Sequence, residues 1–361
     1  MSIDNRIFED LFVLEMANNH WGDLKRALKI VTDYSRIVRF NNVKAAIKVQ
    51  FRDIDAFIHK DFRDRSDIRY IKKTQDTRLS WIDYSTIVQA IRKGGCIPMA
   101  TPFDENSVNM CVHLGIDIVK LASSDINDWV LIDCIAATRK PVIVSTGGSS
   151  LKNIDDLVSF FSKRNIPLAI NHCISLYPSE DRELELNQVD FLKSRYPSLV
   201  IGLSTHEYGD WTTSITIAYA KGARTFERHI DIEHNEHPVS PYCSLPHQID
   251  QWFKAYKKVV EMCGSPGTQK RIPPEKEITY LDSLVRGVYA KRDLQKGEKL
   301  TGDAVYLAIP LQKGQISCRE WMNGEVVQND IKAHQPVMIE MIDSPYADND
   351  QLKSLIYSRG I

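Results

Sequence analysis

Through residue 264 the chain alternates between two patterns of apolar and polar positions. Short apolar runs, rich in β-branched residues and bounded by turn formers, occur around Leu11 to Ala17, Ala45 to Phe51, Ile97 to Phe103, Ile118 to Ser123, Pro141 to Thr146, Pro167 to Ser175, Leu199 to His206 and Arg224 to Ile232. Runs of this kind predict buried strands. The segments between them carry helical periodicity, as in Asp23 to Val38, Trp81 to Lys93, Leu151 to Arg164, Trp211 to Lys221 and His247 to Cys263. Ser149-Ser150 ahead of the fifth helix and Asp104 ahead of the third supply start signals. Strand, helix, strand connections are almost always right-handed and parallel. Eight of them predict an α/β chain closed into a (β/α)8 TIM barrel with helices outside. The long, charged stretch from Asp53 to Thr77 reads as an elaborated loop after the second strand.

Barrels of this type build their sites at the carboxyl ends of the strands, and here those ends are polar. They read Glu15-Met-Ala-Asn-Asn-His20, Lys48-Val-Gln50, Ala100-Thr-Pro-Phe103, Lys120-Leu-Ala-Ser-Ser-Asp125, Ser145-Thr-Gly-Gly148, Asn171-His-Cys-Ile-Ser175, Ser204-Thr-His206 and Glu227-Arg-His229. Buried charge is costly unless paired or used, so lysines inside apolar strands call for anionic partners, which a phosphate and a carboxylate would provide. A lysine in such a place is alternatively a rim residue or a Schiff-base nucleophile. His206 and His229 end successive strands, so a shared metal becomes geometrically accessible. His172, beside Cys173, fits a structural role as well as a chemical one, and His234, His237 and His247 fall in loop and helix-surface positions.

Taken in order, Glu15-Met-Ala-Asn-Asn-His-Trp-Gly22, Ala100-Thr-Pro-Phe103, Lys120-Leu-Ala-Ser123, Ser145-Thr-Gly147, His172-Cys-Ile-Ser-Leu-Tyr-Pro178, Gly202-Leu-Ser-Thr-His206 and Glu227-Arg-His229 resemble the successive motifs of the N-acetylneuraminate (sialic acid) synthase family. A linker at Ser265 to Ile278 leads to Arg286-Gly-Val-Tyr-Ala-Lys-Arg-Asp-Leu-Gln-Lys-Gly-Glu298 and Asp330-Ile-Lys-Ala-His-Gln-Pro336, which resemble the small antifreeze-like (SAF) domain of those synthases. The expected organisation is a barrel at 1–264, a linker at 265–282, a β-rich SAF domain at 283–343 and, outside the resemblance, a tail at 344–361.

The resemblance implies condensation of phosphoenolpyruvate with an open-chain N-acylated amino sugar, giving a nine-carbon 2-keto-3-deoxy acid and phosphate. By residue-for-residue carry-over, His206 and His229 would hold a divalent metal, Mn²⁺ or Mg²⁺ before Zn²⁺ or Co²⁺. Lys48, Lys120, Thr101, Ser123, Ser145, Ser175 and Ser204 would bind phosphoenolpyruvate. Glu15, Asp125 and Glu227 are the candidate proton-transfer carboxylates, with the steps unassigned among them. Asn19, Gln50, Asp125, Tyr177 and Ser240 would face the sugar, and Arg286 would come from the second domain of a neighbouring subunit in a domain-swapped homodimer. Two rival readings remain: a class I aldolase forming a Schiff base through Lys120 or Lys48, and a catalytically impaired sugar-binding homologue.

The chain departs from the family pattern at three positions. Ser240 stands where relatives carry an acidic residue, Thr205 replaces an Asp, and Glu207 replaces a Thr. All three are expected on the sugar side of the site, so the reaction type should persist with an altered acceptor.

Composition removes other classes. A formal net charge of −1 gives no basic field for nucleic acid. The start, Met1-Ser-Ile-Asp-Asn-Arg6, lacks an apolar signal core, and no run approaches the roughly 18 apolar residues of a membrane span, so a soluble, cytoplasmic protein is expected. Seven cysteines without paired CxxC spacing read as reduced core thiols, with Cys96, Cys111, Cys134 and Cys263 on apolar positions.

Overall fold

The computed structural model describes residues 4–234 and 236–361, so Met1 to Ile3 of the polar N-terminal stretch lie outside the described residues. The eight apolar runs form strands β1 (Leu11–Ala17), β2 (Lys44–Phe51), β3 (Ile97–Pro102), β4 (Ile118–Leu121), β5 (Val142–Ser145), β6 (Leu168–Cys173), β7 (Val200–Thr205) and β8 (Thr225–Ile230). They pair in sequence order, all parallel, and β8 returns to pair with β1, closing the TIM barrel. The ring outside is α1 (Leu24–Asn41), α2 (Trp81–Lys93), α3 (Glu105–His113), α4 (Trp129–Ala137), α5 (Leu151–Lys163), α6 (Asn187–Arg195), α7 (Thr213–Ala220) and α8 (Pro246–Cys263). Asp104 caps α3 by accepting from the Ser107 N–H, and Ser150 caps α5 in a reciprocal box with Asn153. These side chains satisfy N–H groups that the first helical turn leaves without partners.

Alternation along each strand sorts the residues into two cores. Outward positions such as Phe12, Leu14, Ile47, Val119, Ile170 and Phe226 pack against the helices. Inward positions near the amino ends, including Leu11, Val13, Ala46, Met99, Ile118, Ile143 and Ala169, form an apolar plug together with Phe8. The next inward positions along the same strands are polar: Glu15, Lys48, Thr101, Lys120, Ser145 and Asn171. The strand register makes this a common level, because Glu15 is opposite Lys48 on one side and His229 on the other.

The Asp53 to Thr77 stretch is more ordered than an elaborated loop. It holds helices Ile54–Phe57 and Arg69–Asp76, and Arg78 ties back to Asp55 through an ion pair. Cys96 and Cys111 are buried and Cys134 is half-buried, but Cys263 is exposed at the end of α8 and is no core thiol. Among the described residues, no helix is long and apolar enough to cross a membrane.

A second compact unit spans Ser265–Ile361. Strand Gly287–Ala290 pairs antiparallel with Val305–Ala308, and Val326–Val327 with Ile342–Asp343. The core contains Val288, Leu294, Leu300, Ile316, Val337 and Ile339. Two expectations are corrected here. The 265–282 linker ends in a helix, Glu275–Asp282. The 344–361 segment is no appended tail, since helix Asp350–Tyr357 buries Ile356 in this core, and Ile361 exchanges backbone hydrogen bonds with Leu311 and Lys313.

Inside the barrel Gly202 leaves room for two polar side chains. A Cβ there would overlap Thr225 Oγ1 and Asn171 Oδ1, which hydrogen-bond each other in the space it vacates. Overpacking of a filled interior costs about 1–3 kcal/mol. Gly202→Ala should lower the unfolding free energy by that much, read as a lower denaturant midpoint at unchanged slope, and an unchanged midpoint would show that the interior yields.

Candidate functional site

The polar layer opens into a cavity of about 370 Å³ at the carboxyl ends of the strands. Its wall includes Glu15, Lys48, Gln50, Thr101, Lys120, Ser123, Ser145, Ser175, Tyr177, Ser204, His206, Glu227 and His229. Each strand brings its side chain inward by the same alternation that built the plug below.

Four charges from four strands organise the floor. Lys48 Nζ contacts Glu15 and lies 2.9 Å from Glu227 Oε1, while Lys120 Nζ lies 2.9 Å from Glu227 Oε2. All four groups are buried. Burial pushes the Glu15 carboxyl above its ordinary range, even with Lys48 beside it. Burial acts the same way on Glu227, but Lys120 and Lys48 together outweigh it and hold Glu227 well below the usual carboxylate range. Lys48 shows the converse: burial opposes its charge, and the two glutamates outweigh burial and raise it. Lys120 has Glu227 alone as a close partner, so burial prevails and its ammonium is lowered. Two carboxylates on one floor are thus pushed in opposite directions, the arrangement that separates a proton-exchanging acid from a permanent anion.

The hydroxyls stand around this floor. Lys48 donates to Thr101 Oγ1 at 3.2 Å, and the Gly147 N–H donates to Ser123 Oγ at 3.0 Å. Ser145 Oγ is buried without a hydrogen-bond partner, a donor available to a ligand. Gly147 also belongs to the site, because a Cβ there would overlap Ser175 Oγ. The Ser145-Thr-Gly-Gly148 turn was the signal for it. Gln50 donates to Glu15 Oε1 at 3.2 Å and accepts from Arg52 Nη1 at 3.0 Å, and the Arg52 guanidinium lies 3.7 Å over the ring of Phe103 in the wall. Sequence reasoning had no signal for Arg52, and it placed Asn171 at a polar strand end without giving it a role. Asn171 is buried, accepts from Thr225 and lies 3.5 Å from Glu227 Oε2.

His206 and His229 face each other across the β7 and β8 ends with ring centroids 5.3 Å apart. Burial lowers His206 to about 4 and His229 well below the usual imidazole range, so both rings are neutral. His206 Nδ1–H donates to the Ile174 carbonyl at 2.7 Å, which leaves the Nε2 lone pair free. His229 Nδ1 is buried and unpartnered, and among the described residues no hydrogen bond claims its Nε2. Neutral imidazoles with an unclaimed lone pair fit a divalent metal. They are the whole protein donor set of this kind, since among the described residues no group of three or more His, Cys, Asp or Glu is arranged to hold one.

Other expected site residues lie elsewhere. Asn19 is off the wall, and its amide donates to the Ile230 carbonyl at 2.7 Å, stapling the turn after β1 to the end of β8. Asp125 is also off the wall, on the 3-10 turn Ser123–Asp125, with Oδ2 buried and unpartnered and burial raising its carboxyl. Ser240 lies outside the wall, in a turn where its carbonyl accepts from the Cys243 N–H at 2.8 Å. Arg286 is exposed on the second unit. His172 is structural, held at 2.8 Å from the Leu184 carbonyl. The two substitutions in the seventh motif are not on the sugar side. Thr205 faces away from the cavity and donates to Glu207, which forms a buried ion pair with Arg228, an outward-facing residue of β8. Glu207 serves the barrel's outer wall.

Removing one member of a buried charge pair costs about 3–5 kcal/mol. Lys48→Met should therefore destabilise strongly in denaturant melts, and adding Glu15→Gln should recover part of the loss. Additive losses would mean that the two do not interact. A second prediction concerns pH. Buried His20 is lowered to about 4 from 6.5, by burial and then by Arg26. The unfolded chain binds the extra proton between these values, so this contribution is complete above pH 6.5 and is lost as pH falls toward 4. His20→Gln should flatten the stability profile there by up to about 1.4 kcal/mol per pH unit; an unaltered slope would contradict the assignment.

Residues 40–267 match the NeuB family and residues 285–343 match the SAF domain. A solved structure from Chromobacterium violaceum, described as spore coat polysaccharide biosynthesis protein E, is 35% identical, with a TM-score of 0.85 over 93% of this chain and 100% of that one. The N-acetylneuraminic acid (sialic acid) synthetase of Leptospira borgpetersenii is 25% identical, with a TM-score of 0.65 over 76% of this chain and 91% of that one. The pseudaminic acid synthase of Campylobacter jejuni is 25% identical over 84% of this chain and 87% of its own length. With the barrel, its charged floor and the SAF domain in place, the chain belongs to the NeuB family of nonulosonic acid synthases.

Proposed function

We propose that this chain condenses phosphoenolpyruvate with an open-chain N-acylated amino sugar, forming a nine-carbon 2-keto-3-deoxy acid and inorganic phosphate. The observation that carries the reading is the floor of two lysines and two glutamates, ringed by serine and threonine hydroxyls in a cavity sized for small substrates. Lys48 and Lys120 hold the phosphate and carboxylate of phosphoenolpyruvate, and Thr101, Ser123, Ser145, Ser175 and Ser204 donate to the remaining oxygens. Fixed donors in a dry site stabilise developing charge without reorganisation. C3 of the enol phosphate attacks the aldehyde carbon, the new C–C bond forms, and the aldehyde oxygen becomes an alkoxide. Water adds to the electron-poor C2, one of its protons passing by way of the base to that alkoxide; the C2–O bond to phosphate then breaks as the remaining C2 hydroxyl proton goes to the departing phosphate, leaving the 2-keto group.

Glu15, with its raised pKa, accepts the proton of the attacking water, while Glu227 stays ionised and keeps both lysines in place. His206 and His229 would hold a divalent metal, Mn²⁺ or Mg²⁺ by ligand type, which as a Lewis acid polarises the aldehyde oxygen. Gln50 and Tyr177 face the sugar. Arg286 reaches the acceptor from a neighbouring copy in a domain-swapped homodimer. The lowered ammonium of Lys120 favours a second reading, a Schiff-base aldolase acting on pyruvate.

Phosphate release from phosphoenolpyruvate with Mn²⁺, across a panel of N-acylated hexosamines, their 6-phosphates and diacetamido trideoxyhexoses, tests the reading. Release with one acceptor is expected, abolished by EDTA, with mass spectrometry showing the nine-carbon acid. Glu15→Gln should lower kcat about 10²–10⁴-fold while phosphoenolpyruvate still binds. An adduct trapped by borohydride with pyruvate, without phosphate release, would instead establish the aldolase.

A further inference from the structure

Metal-binding imidazoles are ordinarily oriented by a hydrogen bond on the nitrogen that does not bind the metal. His206 follows that rule through the Ile174 carbonyl. His229 has no protein partner of that kind on its buried Nδ1, and aromatic packing stands where the hydrogen bond would be. Rings surround His229. Tyr242 stands edge-on at 5.2 Å and 86°, Tyr177 at 6.0 Å and 85°, and His206 at 5.3 Å.

The four rings all pack against one another, and Tyr242 is set apart by its angles. Its ring is nearly perpendicular to three others at once: His229, His206 at 83° and Tyr177 at 80°. Edge-to-face packing is the favoured aromatic geometry and is directional. The 240–242 segment, where Ser240 stands in place of an acidic residue, thus holds an aromatic wall against the imidazole pair.

We infer that Tyr242 is a positioning residue that orients His229, and through it the imidazole pair, by ring packing in place of the missing hydrogen bond. The inference rests on the proposed metal role of that pair. It concerns the plane of the ring, so phenylalanine should substitute for tyrosine while residues without a ring should not.

The test is binding of Mn²⁺ alone, without substrates, followed by loss of the free-ion electron paramagnetic resonance signal. Wild-type protein is compared with Tyr242→Phe, Tyr242→Leu and Tyr242→Ala, with a thermal melt of each. Loss of an orienting partner typically weakens metal binding 10–100-fold. Tyr242→Leu and Tyr242→Ala should weaken Mn²⁺ binding by about that factor, and Tyr242→Phe should stay within about threefold of wild type. Leucine keeps the side-chain bulk, so it reads the role of the ring plane even where alanine lowers the melting temperature. Wild-type affinity in the leucine variant would overturn the inference alone. A wild-type protein that binds no Mn²⁺ would overturn the metal role, and this inference with it.

Discussion

The site depends on burying four formal charges in a closed barrel. Glu15, Lys48, Lys120 and Glu227 come from β1, β2, β4 and β8, and none has enough solvent to stand alone. Each is tolerable only because the others arrive at the same height. Parallel register sets that height, placing Glu15 opposite Lys48 across β1 and β2, and closure through β8 brings Glu227 within reach of both lysines. A slip of one residue would turn these side chains toward the helices and leave partners unpaired.

The charged floor needs a foundation, and the inward side chains below it supply one. Phe8, Leu11, Val13, Met99, Ile118 and Ile143 fill the lower barrel, so hydrophobic burial stabilises closure while the upper layer carries polar chemistry. The same geometry explains the opposed pKa shifts. Glu227 contacts two lysines and Glu15 one, and at equal burial that difference in partners separates a permanent anion from a group able to exchange a proton.

Departures from the family pattern have two separate physical meanings. Thr205 and Glu207 belong to a buried cluster with Ser214 and Arg228 behind the barrel wall. There Glu207 satisfies the Arg228 guanidinium. Ser240 belongs instead to the loop after β8, two residues before Tyr242, whose ring stands beside the histidine rings.

The sequence by itself determined the eight strands, the closed barrel and the inward residues that line its mouth, because apolar runs of fixed period admit one placement and strand ends gather on one face. Lys48, Lys120, Glu15, Glu227, His206 and His229 were legible for that reason. Tertiary structure alone decided the rest. Which carboxylate sits between two lysines depends on distances between strands far apart in sequence. Asn19, Asp125 and Thr205 carry the right chemistry near the right strands, yet backbone direction at the strand ends points them away from the cavity. Arg52 and Tyr242 gain their places only through contacts that no local pattern encodes. The C-terminal segment joins a core through Ile356, with Tyr346 and Ala347 packed against it, contacts that short helical periodicity does not announce.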